Sequence, residues 1–336
     1  MMHTPLKKML DDVLLTSGIK QKKDIQCIAT ALESAVSNLD HPNGDDAAAI
    51  KNDNGYDLMA GEGFLTEFVR TDPWFAGWCG VMVNISDIAA MGGYPTGITN
   101  TIWSQPGSEL DQIYNGMAEA SQAFGVPIVG GHTNLQAETT QLAVSIHGKA
   151  KCLLSSFAAQ PEQAVVAAID LRGDFRKPFL NWNAATTAPA HRLRKDIALL
   201  PYIAESGLAI AAKDISQAGL LGTLTMLLES SDVGANIYLD DIPKPETVSW
   251  LDWLCCFPSF GYLLTTHKSK LDELLDTFNK RNIAANCIGE ISSQKQLIVH
   301  KDNQSDVFWN IEEQALTGFG ALPAKPQTES KELAYA

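Results

Sequence analysis

The chain has 336 residues, 45% of them apolar and 19% charged, with a formal net charge of -14. That length exceeds one ordinary hydrophobic core, so two domains are expected, and the composition is that of a globular protein rather than a disordered or fibrous one. The acidic balance argues against nonspecific nucleic-acid binding and against docking on anionic membranes, but not against a polyphosphate screened by magnesium.

Residues 5–17 and 24–37 alternate apolar and charged positions at helical spacing and read as two amphipathic helices. His41-Pro42-Asn43-Gly44 breaks the chain. Ala47–Ile50 and Tyr56–Ala60 read as strands around the turn Asn52-Asp53-Asn54-Gly55. Asp72-Pro73 starts a helix, with Asp as N-cap and Pro in the first turn, and Gly92-Gly93 followed by Pro95 stops it. Within that helix Gly77 and Gly80 permit close packing, and Asn84 and Asp87, three residues apart, share one face. A strand is expected near Gly97–Trp103, a helix near Glu109–Phe124, and strands at Val126–Val129 and Gln141–Ile146. The order implies an α+β sandwich of ferredoxin type.

Residues 150–164 read as a crossing to a second domain. There strands at Val165–Ile169, Ala209–Lys213, Ile237–Leu239, Tyr262–Thr265, Ile283–Ile288 and Gln296–His300 alternate with helices at His191–Glu205, Leu220–Glu229, Thr247–Leu254 and Lys268–Lys280. That alternation implies an α/β layer. The expected partition is N-terminal helices over 1–40, a first domain over 41–152, a second over 153–322, and a polar, frayed tail over 323–336.

Six cysteines, at 27, 79, 152, 255, 256 and 287, include no CxxC pair; reduced, mostly buried thiols are expected rather than zinc or a disulfide framework. Lys7 and Lys8 lead into amphipathic sequence interrupted by Asp11 and Asp12, unlike a signal peptide, and no apolar run is long enough to span a bilayer, so a cytoplasmic location is expected.

Three segments carry the chemistry. Gly44-Asp45-Asp46-Ala47-Ala48 sets adjacent carboxylates after a glycine; they repel one another unless a cation lies between them. The alternative is an Asx-type turn entering a strand. Asp87 has neighbours Ile85, Ile88, Ala89, Ala90 and Met91, which leave it little exposed face, and a buried carboxylate needs a partner. Gly130-Gly131-His132-Thr133 ends an apolar strand, where glycines let backbone N–H groups face an anion and His132 and Thr133 can donate to phosphate oxygens. Acidic oxygens beside glycines suit a magnesium-held polyphosphate, so the set points to an ATP-using enzyme without a P-loop. Glu62, between Gly61 and Gly63, can add a third carboxylate oxygen, or stand on a solvated bulge. Asp214 and Ser216 sit between a strand end and a helix start, where open α/β sheets bind ligands and helix N-termini attract anions; a plain N-cap role for Ser216 is the alternative. Arg172 and Arg176 flank Gly173-Asp174-Phe175 as a substrate clamp or as an ion-pair loop. No GxxxxGK[ST], dinucleotide GxGxxG, HExxH or GxSxG occurs.

With Gly44–Ala48, Asn84–Gly93 and Gly130–Thr133 in this order, the chain resembles the aminoimidazole ribonucleotide (AIR) synthetase superfamily over about residues 40–300. That superfamily includes thiamine-monophosphate kinase, selenophosphate synthetase and a hydrogenase maturation factor. The resemblance implies a homodimer binding ATP and magnesium between N-terminal domains and a small-molecule acceptor of the phosphoryl group. It further implies Asp45, Asp46 and Asp87 as metal ligands, a set that Glu62 can join from its own position, with Asn84 and Gly130–Thr133 near the nucleotide. Asp214 and Ser216 would position the acceptor or a further metal, with Asp45, Asp87 and Asp214 as the catalytic acids. The chain departs from each characterised branch. It ends Glu332-Leu333-Ala334-Tyr335-Ala336, without the maturation factor's C-terminal cysteine. Cys27 sits in a helical pattern without the glycine-rich context of the selenophosphate enzyme, although Gly130–Thr133 looks like that branch. Gly61-Glu62-Gly63 stands where the thiamine-monophosphate kinase has Asp-Thr, and Ser216-Gln217-Ala218 where it has Ser-Asp-Gly. The chain looks most like uncharacterised members related to the superfamily. A nucleotide-binding regulator that lost turnover with the acid at Gln217 is the reading from another class.

Overall fold

The computed structural model describes residues 4–32 and 41–320. Two helices come first, α1 (Pro5–Leu14) and α2 (Ser17–Leu32). Thr4 caps α1 by accepting from the Lys7 amide at 3.2 Å, and Pro5 occupies the first turn, where no amide donor is needed. The first sheet comprises β1 (Ala48–Asn52), β2 (Gly55–Gly63), β3 (Tyr94–Trp103), β4 (Ile128–Asn134) and β5 (Gln141–Ala150) in the order β1-β2-β5-β3-β4. β3 and β4 run parallel and the other pairs antiparallel. The short α3 (Thr66–Thr71) precedes α4 (Pro73–Ala90), and α5 (Ser108–Phe124) follows β3.

Side chains alternate along these strands, so Ile98, Ile102, Leu142, Val144 and Ile146 face α4 and α5, while Met59, Val129 and Trp103 are exposed. α4 is buried nearly all round because it lies between two layers, the first sheet on one side and elements of the second on the other. Its crossing with α5 depends on glycines: a Cβ at Gly77 would strike the Ile113 carbonyl oxygen, and one at Gly116 the Trp74 carbonyl oxygen.

The second sheet comprises β6 (Ala164–Ile169), β9 (Ala211–Asp214), β10 (Gly234–Tyr238), β11 (Gly261–Thr266), β12 (Ala284–Ser292), β13 (Gln296–Lys301) and β14 (Gln304–Asn310), in the order β14-β13-β10-β12-β6-β11-β9. A small hairpin, β7 (Asp174–Arg176) and β8 (Asn181–Asn183), precedes α6 (Ala190–Ile197) and α7 (Leu199–Glu205). α8 (Gly219–Ser231) and α9 (Trp250–Cys255) cover one face, and α7 with α10 (Leu271–Asn279) cover part of the other. The α+β class, with one sandwich followed by a second mixed layer, is thus as the sequence implies.

Several elements differ from the expectations, for physical reasons. α1 and α2 are not a free-standing unit: Leu6, Leu10, Val13 and Ile19 join the core under the second sheet. α2 starts at Ser17, and the expected helix beyond residue 32 lies outside the described residues, as does the 323–336 tail. The expected helix over 191–205 is two, broken at Ala198, and Pro201 falls in the first turn of α7, where its missing amide costs nothing. β14 went unrecognised because its sequence, QSDVFWN, is half polar. β4 does not end in a glycine turn: it continues through Gly130–Asn134, because Gly131 lets the strand lie against Asn100, whose carbonyl oxygen a Cβ would strike. No described helix is long and apolar enough to cross a membrane.

Candidate functional site

Three carboxylates converge where the two layers meet. Asp46 comes from the loop before β1, Asp87 from the last turn of α4, and Asp214 from the end of β9, the edge strand beside α4. One carboxylate oxygen from each lies within 4.8 Å of the others. Asp87 and Asp214 are 5% and 2% exposed. Ser86 Oγ and Tyr262 Oη, 2.9 Å apart, tie α4 to β11 next to this point.

Electrostatics follow from the crowding. Burial pushes the Asp87 carboxyl well above the usual carboxylate range, the charges of Asp214, Glu62 and Asp46 push it further, and Lys213 opposes them. Asp214 is raised for the same reasons, burial first and Asp46 next. Asp46 is raised by burial against the pull of Lys213. Lys213 lies between these acids with its side chain 5% exposed, its ammonium paired to Asp46 Oδ1, while the Asp214 amide donates to Asp46 Oδ2 at 3.1 Å. Burial would lower the Lys213 pKa, but Asp46 and Asp45 outweigh it and raise it.

Asp45 is turned away from this cluster. Its Oδ2 accepts from Ser155 Oγ at 2.8 Å and the Ser156 amide at 3.0 Å, its Oδ1 accepts from Ser156 Oγ at 2.6 Å, and His41 Nε2 lies 3.3 Å from Oδ2. The chain bends at Asp45 and Asp46, and the two side chains reach different partners: Asp45 meets Ser155 and Ser156, Asp46 meets Lys213 and the Asp214 amide. Burial would raise the Asp45 carboxyl, but His41, Lys213, Ser156 and Ser155 hold it below its ordinary value. Asp45 therefore fastens the acidic loop to the crossing between the sheets and stands outside the three-carboxylate group. Glu62, near the end of β2, is exposed and stands outside the three-carboxylate group; the charge of Asp46 disfavours its ionised form, while Lys22 of α2 and Lys213 favour it.

The remaining candidates are dispersed. Asn84 is fully buried one turn before Asp87; its Nδ2 donates to the Gly80 carbonyl at 2.8 Å, and its Oδ1 has no hydrogen-bond partner among the described residues. Gly130, Gly131, His132 and Thr133 are exposed on the sheet edge, with Thr133 Oγ1 2.9 Å from Tyr114 Oη. Ser216 is not an N-cap: α8 begins at Gly219 without a side-chain cap, and the Ser216 amide donates to Thr223 Oγ1 at 3.1 Å. Gln217 lies against α2, where a Cβ at Gly18 would strike its carbonyl oxygen. The two arginines form no clamp, because internal carboxylates take both guanidinium groups. Arg176 donates through Nε and Nη2 to Asp72 at 2.6 and 3.1 Å, so the N-cap of α4 also holds β7. Arg172 donates to Asp170 at 2.7 and 3.0 Å and to Asp196 at 3.2 Å.

Sequence reasoning overlooked Lys213 and the Ser155–Ser156 anchor. A lysine ending the apolar run Leu208-Ala209-Ile210-Ala211-Ala212 was a readable signal, since a charge there must find a partner. Ser155 and Ser156 sit in a loop with no pattern of their own.

The donor set fits a hard divalent cation: oxygen-only, acidic, and with three carboxylates against the single positive charge of Lys213. Family models for "AIR synthase related protein" match the N-terminal domain at residues 44–150 and the C-terminal domain at residues 176–302. An uncharacterised protein of Synechocystis sp. is 40% identical over 319 residues, 93% of this chain and 99% of that one. A thiamine-monophosphate kinase of Buchnera aphidicola is 27% identical over 296 residues, 79% of this chain and 89% of that one. Among solved structures, T. maritima PurL complexed with ADP superposes with a TM-score of 0.73 at 19% identity, covering 95% of this chain and 54% of that one. At that identity the likeness is one of fold.

Proposed function

The chain belongs to the AIR synthase-related family, and from that premise we propose that it is a magnesium-dependent, ATP-using enzyme that transfers a phosphoryl group to a small-molecule acceptor, or activates one. The observation that carries this reading is the convergence of Asp46, Asp87 and Asp214 from three separate elements onto one point. These residues would hold magnesium, which when bound neutralises charge on the nucleotide phosphates. Asp45 holds the Asp46 loop to the crossing through Ser155 and Ser156. Asn84 Oδ1, buried and unpartnered on the same helix as Asp87, is the acceptor left for a nucleotide or its water. A relative named thiamine-monophosphate kinase and a fold relative holding ADP support nucleotide use. The exposed Met59, Val129 and Trp103 on the first sheet support a homodimer joined through that face. A cytoplasmic location is part of the same reading.

The test is ADP release in magnesium across thiamine monophosphate, selenide, formylated ribonucleotides, and carbamoyl and amide compounds. One acceptor should stimulate release. Nucleotide binding with no release for any acceptor would instead favour a regulator without turnover. Asp87→Asn should abolish the magnesium dependence of ATP binding; if that dependence survives unchanged, the metal assignment is wrong.

A further inference from the structure

We propose that Lys213 is a built-in cation that occupies Asp46 until a polyphosphate takes it over, so that magnesium and polyphosphate bind this site together and either alone binds poorly. The inference rests on the reading of Asp46, Asp87 and Asp214 as the magnesium site.

The three carboxylates alone would be a strong metal trap, but the Lys213 ammonium already occupies one lobe of Asp46 and lies among the other acids. A metal ion drawing on Asp46 must compete with that ion pair. Lys213 cannot be released into water, because its side chain is 5% exposed and α4, β9 and β11 enclose the region. A displaced buried ammonium needs another anion within reach, or it stays uncompensated at high cost. Asp87 and Asp214 are claimed by the same metal, and Glu62, whose charge Lys213 also feels, stands at the exposed end of β2 where water already solvates it. Asp45 is saturated by Ser155, Ser156 and His41. A phosphate oxygen delivered with the metal would be the remaining partner. The Lys213 stem is held at its base, since the Asp214 amide donates to Asp46 Oδ2, so the ammonium moves while the strand end does not. The lysine thus converts a simple metal site into one with positive coupling between cation and anion.

Calorimetry with magnesium chloride alone, and with magnesium plus the β,γ-methylene analogue of ATP, tests this on the full chain. Lys213→Met should bind magnesium alone about tenfold or more tighter than the wild type, and should bind the magnesium–analogue complex about tenfold more weakly. Equal or weaker binding of magnesium alone would overturn the proposal. Lys213→Met leaves acids without their counter-charge and can fail to fold, so Lys213→Arg is the second variant. It keeps the charge, and its fork grips Asp46 through two parallel N–H bonds, so magnesium alone should bind several-fold more weakly than to the wild type. Unchanged or tighter binding in that variant also overturns the proposal. If no form binds magnesium under either condition, the metal reading falls with it; if magnesium binds but ignores residue 213, this inference alone falls.

Discussion

Glu229→Gln tests how the far end of the chain supports the acidic loop. Glu229 is 2% exposed near the C-terminal end of α8, where the helix dipole disfavours a negative charge. Donors from the following segment offset that cost: Oε1 accepts from the Leu316 and Gly318 amides at 3.2 and 2.9 Å, and Oε2 from the Thr317 amide and hydroxyl at 2.9 and 3.0 Å. This latch brings Phe319 onto Gly44, whose φ of +115° and lack of Cβ admit the ring. In the glutamine variant one oxygen becomes an amine. The best arrangement puts the amine at Oε2, where the Thr317 hydroxyl can turn to accept from it, but the Thr317 amide then faces another donor. An unsatisfied buried amide costs about 1–3 kcal/mol, and the loss of charge weakens the two surviving amide bonds by about 1 kcal/mol each, so about 3–5 kcal/mol in all is expected. Urea unfolding followed by tryptophan fluorescence measures the loss. Hydrogen exchange of the 316–318 amides localises it, and magnesium affinity should fall as Phe319 leaves the Asp46 loop. A loss under about 1 kcal/mol, with those amides still protected, would refute the latch.

The pH dependence of the carboxylate cluster has a definite sign. The Asp87 and Asp214 pKa values are raised in the folded state, so the metal-free protein loses stability as pH climbs from their ordinary value through the raised ones. Magnesium needs the ionised forms and should add more stability over the same window; melts in chelator and in excess magnesium from about pH 5 to about pH 9 should diverge as pH rises, and parallel curves would count against the site. Gly77→Ala should destabilise by about 2–3 kcal/mol, because the added methyl meets the Ile113 carbonyl between two packed helices; a melt within a degree or so of wild type would contradict the crossing. Thiol labelling of the native protein should modify the exposed Cys27 and Cys152 and spare Cys255, whose thiol burial pushes up to about 11, as well as the buried Cys79 and Cys256. Met59→Asp and Val129→Asp should yield a monomer by sedimentation if the open sheet face joins two copies; a dimer unaffected by both would place the interface elsewhere.

What was legible in the sequence was local. Asp72-Pro73 started α4 and Gly92-Gly93 ended it, because capping and left-handed backbone depend on neighbours in the chain. The helical period put Asn84 and Asp87 on one face. Periodicity also separated the sheet and helix layers well enough to give the α+β class. Tertiary structure alone decided which acids meet. Asp45 and Asp46 are neighbours in sequence and read as a pair, yet one binds the crossing at Ser155 and Ser156, and the other meets residues 87 and 214. The same holds for Arg176, whose partner Asp72 is 104 residues away, and for Lys213, whose partner Asp46 is 167 residues away. A carboxylate or ammonium announces by its chemistry that it needs a counterpart, but only the packing of α4 between two sheets determines which one it reaches.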